Sequence, residues 1–148
     1  AAARELWVVV GSNGVKITKV QDHTVAGTSA VNSDGVDMAG YEGVLFLTSF
    51  GTANANNTVN AAQGLTSGGT YDDLLGSSVA SGTSDEDVWI DVYRPIDRFV
   101  RLEAARGTSS TLESIWAIQY RARKLPVDNT TSGTIVGEAH VSIAEGTA

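Results

Sequence analysis

Apolar residues in this sequence occur in short runs separated by glycine, serine, asparagine and aspartate, a pattern typical of strands and turns. The clearest run is 41–50, which is almost continuously apolar and is followed by Gly51. Such a run predicts a central strand buried on both faces. Residues 88–93 and 98–104 alternate in side-chain character and predict two more strands. The first of these ends near Pro95, which cannot donate a ladder hydrogen bond.

The beginning of the chain predicts a β-hairpin. Residues 6–10 and 15–20 have the composition of strands. Asn13-Gly14 lies between them and supplies the positive φ angles that a tight hairpin turn needs. A further short strand is predicted at 24–26, inside the polar loop that follows.

The stretch 51–87 is rich in asparagine, glycine and serine and has the weakest pattern. Within it, 59–63 predicts a strand. Residues 71–75 predict one helical turn capped by Thr70, because two acids follow in its first turn. Residues 81–87 predict an acidic turn.

The stretch 112–124 fits both a helical and a two-residue period, so both structures are open. Its isoleucine, tryptophan and tyrosine content favours a strand. A turn at 107–110 precedes it and Pro126 ends it. Residues 134–136 and 139–143 predict a last short hairpin.

Together these segments predict about seven to nine strands with little helix, which indicates an all-β domain. The physical solution is an antiparallel β-sandwich or a closed β-barrel, of a jelly-roll or tulip-like kind, with long loops. We expect one domain over 1–148, with a core at about 6–126, an N-terminal arm at 1–5 and a C-terminal extension at 127–148.

Composition removes several classes of function. The 148 residues include no cysteine, which excludes disulfide scaffolds, thiolate zinc sites and iron–sulfur clusters. A net charge of −7 repels phosphate backbones, so we expect no nucleic-acid partner. No run of about 18 apolar residues predicts a transmembrane helix, and no signal peptide is visible. We therefore expect no membrane partner.

Candidate catalytic and metal-binding residues are scattered. His23 and His140 each have one acid nearby in sequence, whereas a zinc site needs several converging ligands. The acidic stretch 85–91 lacks the glycine-containing loop of an EF-hand, which favours a solvated turn over a calcium site. There is no nucleophile elbow. We expect no enzyme activity, no cofactor and no metal.

Three tryptophans raise the option of carbohydrate binding, because exposed indole rings can stack on sugar rings. Trp7, Trp89 and Trp116 all lie in apolar strands, however, so the pattern favours packing in the core.

Basic residues are concentrated in one block. Residues 94–124 hold seven Lys/Arg against three Asp/Glu, whereas 1–93 hold three against eleven. Such a block is typical of arginines alternating out of a sheet into solvent, or of a contact surface for an acidic partner. The candidate interface residues are Arg94, Arg98, Arg101, Arg121 and Arg123.

A resemblance extends this interpretation. The segments that carry it are Tyr41-Glu42-Gly43-Val44-Leu45-Phe46, a long polar stretch, Val88-Trp89-Ile90-Asp91-Val92-Tyr93-Arg94-Pro95, Arg98-Phe99-Val100-Arg101 and Tyr120-Arg121-Ala122-Arg123-Lys124-Leu125-Pro126. Their order resembles the capsid decoration, or cement, proteins of tailed bacteriophages, over about residues 40–127.

The resemblance implies a structural virion protein on the capsid exterior, made in the host cytoplasm, with no enzyme activity and no cofactor. Its partners would be the major capsid protein and further copies of itself, as a homo-dimer or homo-trimer. A protein that binds only the assembled shell stabilises that shell by mass action. We expect the arms 1–5 and 127–148 to reach a neighbouring subunit, with frayed termini as the alternative.

Three other functions stay open. A tail-tube or head–tail connection subunit would need a long projecting hairpin, for which 51–70 is the candidate. A carbohydrate-binding sandwich would need an exposed tryptophan. A hydrolase would have to use two of the scattered carboxylates facing each other across a cleft.

Overall fold

The computed structural model describes residues 11–129, 133–140 and 144–148. The chain is all-β in these ranges apart from one helical turn, as its apolar pattern predicts. The elements in chain order are α1 (Gly11–Gly14), β1 (Lys16–Gln21), β2 (Thr24–Gly27), β3 (Val31–Asn32), β4 (Val36–Asp37), β5 (Gly43–Phe50), β6 (Thr58–Gly64), β7 (Asp72–Asp73), β8 (Val79–Ala80), β9 (Glu86–Tyr93), β10 (Phe99–Ala105), β11 (Ser110–Leu112) and β12 (Ile115–Tyr120).

The strands form three antiparallel sheets. The first sheet has the order β1-β12-β5-β9. The second is built on the pair β10 and β6, with β3 and β4 beside β10 and with β7 and β8 beside β6. β2 and β11 form a small third sheet. No ladder joins the first and second sheets within the described residues, so the fold is a sandwich and not the closed barrel that the sequence left open.

One core lies between the two large sheets. Side chains from β5, β9 and β12 on one side and from β6 and β10 on the other form a single buried cluster. Its largest fully buried members are Phe46, Phe50, Leu102, Leu112 and Ile115. Burial alternates along β5, β9, β10 and β12, as expected for strands that bury one face.

The prediction for 41–50 is half right. β5 is an interior strand, with β12 on one side and β9 on the other. Its even positions, such as Val44 and Phe46, are completely buried, but Leu45 and Leu47 are only partly buried. The strand therefore buries one face fully and presents apolar side chains on the other.

The hairpin turn predicted at Asn13-Gly14 is wrong. Residues 11–14 form one helical turn, and β1 pairs with β12. Residues 6–10 lie outside the described residues. Tertiary contacts overrule the local turn signal here, because Val127 donates its N–H to the Asn13 carbonyl at 2.7 Å and fixes the turn from the far end of the chain.

Two smaller predictions are also wrong. Residues 71–75 form no helical turn, because Asp72 and Asp73 pair with β6 as the short strand β7, and Asn60 donates to Asp73 at 3.0 Å. Residues 134–136 form no strand, while the second half of that predicted hairpin lies partly outside the described residues. The strands at 24–26, 59–63, 88–93 and 98–104 and the choice of strand over helix at 112–124 are confirmed.

The helical content stays within a single turn. No helix in the described ranges is long and apolar enough to cross a membrane.

Candidate interaction surface

The outward face of the first sheet carries a continuous set of apolar and aromatic side chains. The outward face of an antiparallel sandwich is normally polar, because it meets water. Here the ladder register brings the outward positions of three neighbouring strands together. We call this set the aromatic face, and its members are Leu45 and Leu47 on β5, Trp89 and Tyr93 on β9, and Trp116, Ile118 and Tyr120 on β12.

One row of the aromatic face crosses the sheet through Leu47. Trp89 is the ladder partner of Leu47 on one side, and Trp116 is its partner on the other. The two tryptophans therefore lie two strand spacings apart, about 9.6 Å. Trp89 is 65% exposed and Trp116 is partly covered, so the row opens toward β9.

A second row joins two tyrosines across a glycine. Gly43 is the ladder partner of both Tyr93 and Tyr120, and a Cβ at Gly43 would collide with the Tyr120 ring. The missing side chain lets that ring lie over the strand and stack on Tyr93, with ring centroids 6.5 Å apart and planes 7° apart. Gly43 is therefore required for the stacking of Tyr120 on Tyr93 at this end of the aromatic face.

The Tyr120 hydroxyl is held in its protonated form. It donates a hydrogen bond to Asp91 at 2.5 Å. Partial burial, and next the hydrogen bond to the Asp91 carboxylate, raise the pKa of Tyr120 to about 12. At neutral pH this group is a fixed hydrogen-bond donor at the border of the aromatic face.

Two arginines complete that border. The guanidinium carbons of Arg94 and Arg121 lie 5.2 and 5.8 Å from the centroid of the Tyr93 ring. Both form ion pairs with Glu42, at 3.3 and 3.6 Å. Each arginine follows directly after its strand and has a positive φ, 52° and 51°. An apolar centre with a charged border is the usual organisation of a protein interface.

The prediction that the tryptophans pack in the core is wrong for Trp89. Trp116 is partly covered and Trp7 lies outside the described residues. The sequence contains an indication that Trp89 is exposed, because Asp91 is two residues further along and lies on the same face of the strand. A solvated acid on one face of an edge strand places its same-face neighbours in solvent as well.

The structure brings four of the five candidate arginines to one end of the sandwich. Arg94, Arg98 and Arg123 line a groove of about 470 Å³, and Arg121 shares Glu42 with Arg94. Arg101 lies apart on β10. Four of the five candidates therefore lie at one end of the sandwich, and their role at an interface stays a prediction.

Most of these arginines already have partners within the chain. Arg98 binds Asp37 through two hydrogen bonds of 2.9 and 2.8 Å, and this contact lowers the pKa of the Asp37 carboxyl. Arg101 pairs with Glu103 at 2.7 Å and lies 4.2 Å from the centroid of the Tyr71 ring. An acidic partner would have to share these arginines, and an exposed pair such as Arg98–Asp37 contributes about 0–1 kcal/mol.

The two edges of the first sheet differ in accessibility. At β1, the Asn129 side chain accepts a hydrogen bond from Ile17 N–H at 2.8 Å and donates one to the Val15 carbonyl at 2.7 Å. Residues 127–129 therefore belong to the domain, although we expected the extension 127–148 to leave it. At β9, no described residue pairs with the outer edge. Among the described residues, β9 therefore forms an open edge of this sheet.

Each histidine lies beside a single acidic residue within the described part of the chain. His23 lies 3.2 Å from Glu113 and His140 lies 2.9 Å from Glu138, each an exposed pair. No group of three or more histidine, cysteine or acidic residues converges in the part of the chain that the structure describes.

Comparison with known proteins adds little. No protein-family model and no curated protein matches the sequence. Among solved structures, the chain is similar to a protein of Bacillus endospore appendages, described as a novel family of disulfide-linked pili. The identity is 13% and the TM-score is 0.47, over 80% of this chain and 97% of that one. The present sequence contains no cysteine. A likeness of this size supports no statement about function.

Proposed function

We propose that this chain is a structural protein that attaches to the outside of a tailed-phage capsid through its aromatic face and stabilises the assembled shell. The aromatic face is the observation that carries the proposal. Large exposed apolar patches with polar borders mark interaction sites, and tryptophan and tyrosine supply much of the energy in protein interfaces. The proposed role involves no catalytic step and no cofactor.

The arginines support the same proposal in a second way. Arg94 and Arg121 are 67% and 68% exposed beside the aromatic face, and Arg123 is exposed in the adjacent groove. Charges at the border of an interface speed association and select the partner more than they add affinity. We assign these arginines, with Arg98 at the same end, to contact with acidic capsid or sister subunits. Arg101 contributes at most from a separate surface.

The arms retain a reduced role in this proposal. Residues 1–5 lie outside the described residues. The C-terminal extension is tied to β1 as far as Asn129, so residues 127–129 are not available to a neighbouring subunit. Ile135 and Val136 line a cavity of about 720 Å³ next to Ile17 and Trp116.

Co-sedimentation with empty capsids of a tailed phage that encodes the chain tests the proposal. We expect the wild type to pellet with the shells and to raise their melting temperature. Trp89→Ala should weaken binding by about 2 kcal/mol or more, roughly 30-fold, as for a central aromatic residue of an interface. Leu65→Ala is the matched control, because Leu65 is 75% exposed but follows β6 in the other sheet. Wild-type protein that stays in the supernatant would contradict capsid decoration.

Carbohydrate binding is the second candidate, and the exposure of Trp89 favours it. Trp89, Leu47 and Trp116 form one row across three neighbouring strands, along which a polysaccharide would contact the exposed Trp89 indole. Titration with a soluble glucan and a soluble mannan should then quench tryptophan fluorescence in the wild type and not in Trp89→Ala. Unchanged fluorescence at saturating polysaccharide would remove this candidate.

The tail-subunit alternative has less support. It depended on a projecting hairpin at 51–70, but β6 (Thr58–Gly64) occupies the middle of that stretch and pairs with β10 inside the second sheet.

A further inference from the structure

Within the described residues, the outer edge of β9 presents a row of unpaired backbone groups. In an antiparallel ladder, alternate residues direct both N–H and C=O to the same neighbouring strand. Arg94 and Asp85 donate to the carbonyls of Glu42 and Phe50, so even-numbered β5 residues bond toward β9. Ser49 accepts from Glu113 on the opposite side, which fits the same alternation. The outward backbone groups of β9 are therefore those of its odd-numbered residues.

This edge is long, and a groove runs beside it. β9 has eight residues, and a groove of about 680 Å³ separates it from the segment 74–80. The groove runs along β9, since all eight residues of that strand line it. Natural proteins usually cover such an edge. At β1 the Asn129 side chain satisfies the Ile17 N–H and the Val15 carbonyl, whereas at β9 no described residue bonds to the outer backbone groups. This long edge is therefore suited to pairing with a further strand.

We propose that β9 pairs with β9 of a second copy of this chain, in antiparallel orientation about a two-fold axis at Ile90. The two four-stranded sheets would then form one continuous sheet with two joined aromatic faces. The inference goes beyond the proposed function, since it holds whatever the aromatic face binds.

The charges of β9 disfavour the two neighbouring registers. In a continuous sheet, residues whose side chains lie on the same face are opposite each other. The two-fold axis must therefore pass through a residue and not between two residues. An axis at Trp89 places Asp87 opposite the second copy's Asp91, and an axis at Asp91 places the two Asp91 residues opposite each other. Like charges directly opposite are destabilising. An axis at Ile90 instead places Trp89 opposite Asp91 and Asp87 opposite Tyr93, with no like-charged pair.

The same register satisfies the free backbone groups and adds favourable contacts. The odd-numbered residues that face the edge become four hydrogen-bonded pairs, with two bonds in each pair. Glu86 lies opposite the second copy's Arg94. The Arg94 side chain is 67% exposed in the single chain and is therefore accessible to a second copy. The two Trp89 residues become diagonal neighbours, about 7–8 Å apart, within reach of their rings.

Disulfide trapping tests both the pairing and its register. The sequence has no cysteine, so each cross-link reports on an introduced residue. Trp89→Cys and Asp91→Cys proteins should form a disulfide-linked dimer when mixed under mild oxidation, because hydrogen-bonded partners have Cα atoms about 5.5 Å apart. Neither protein alone should cross-link efficiently, since the diagonal distance exceeds the usual disulfide range. Cross-linking of Trp89→Cys alone, or none in the mixture, would refute this register.

Light scattering tests the dimer without cysteine. The wild type should have twice the chain mass of 15.4 kDa. Asp91→Pro removes one outward N–H and no internal ladder bond, so it should shift the protein toward monomer while circular dichroism stays β-rich. Asp91→Ala keeps the N–H and should remain dimeric. A monomeric wild type at high concentration, or an Asp91→Pro dimer as stable as wild type, would exclude β9 pairing.

Discussion

Two Leu→Ala substitutions, one in the core and one on the aromatic face, test whether that face is exposed in the single domain. Leu102 on β10 is 1% exposed and points into the core, whereas Leu47 on β5 is partly buried and points outward. Leu→Ala removes the same side-chain atoms at both positions. The difference in unfolding free energy therefore reports the difference in surroundings.

The expected magnitudes follow from burial. A fully buried Leu→Ala change removes transfer energy and leaves a cavity, so Leu102→Ala should cost about 3–4 kcal/mol. In a chain of this size that lowers the melting temperature by roughly 6–16 °C. Full burial stabilises by about 0.8 kcal/mol for each methylene group. Leu47 is only partly buried, so Leu47→Ala loses about half of that energy, and water occupies the space that the side chain leaves. It should cost about 1 kcal/mol.

Urea denaturation followed by far-ultraviolet circular dichroism measures both values, since it does not depend on the tryptophans beside Leu47. Equal m-values for the two variants are required before the midpoints are compared. The protein concentration must also be low enough for monomer to dominate, because pairing adds stability. If Leu47→Ala costs as much as Leu102→Ala under these conditions, the aromatic face is covered within the single domain and the interface proposal fails.

Three further predictions concern polar groups. Asn57 is fully buried and accepts the Gly107 N–H at 2.6 Å, so Asn57→Ala should cost about 1–3 kcal/mol in chemical denaturation, because that donor loses its partner. The raised pKa of Tyr120 means that only the unfolded chain releases this proton between pH 10 and about 12. Stability should therefore fall with pH across that range, and this loss should shrink in Tyr120→Phe. The pKa of Asp37 is lowered by Arg98, so its stabilising effect is present above its unfolded value of 3.8 and is lost as pH falls further. Acid denaturation curves of wild type and Asp37→Asn should therefore converge at low pH.

The strands were predictable where one side of the alternation is plainly polar. Along 88–93, Asp91 marks the solvent-facing side of the strand. Trp89 lies on the same side, and Val88, Ile90 and Val92 lie on the side that faces the core. Along β5 no such marker exists, because both parities are apolar, and the outward role of Leu47 emerges only from its ladder partners.

Other features depend on contacts between distant segments. Gln119 is buried because its amide donates to the Asp37 carbonyl at 2.8 Å, so polarity along 115–120 gives the wrong inward face. The helical turn at 11–14 is held by Val127, and the open edge of β9 follows from strand order. Neither local propensity nor periodicity contains that information.

The pairing of β1 has a consequence for the timing of folding during synthesis. Ile17 reaches its partner Asn129 across 112 residues of sequence, and the ladder partner of β1 is the last strand described. At 5–20 residues per second, the ribosome needs roughly 6–22 s to supply that partner. β1 therefore leaves the ribosome early, and β12 becomes available to it only when nearly the whole chain has been made. We expect the first sheet to close only after translation of its last strand, with a slow rate typical of non-local β topologies.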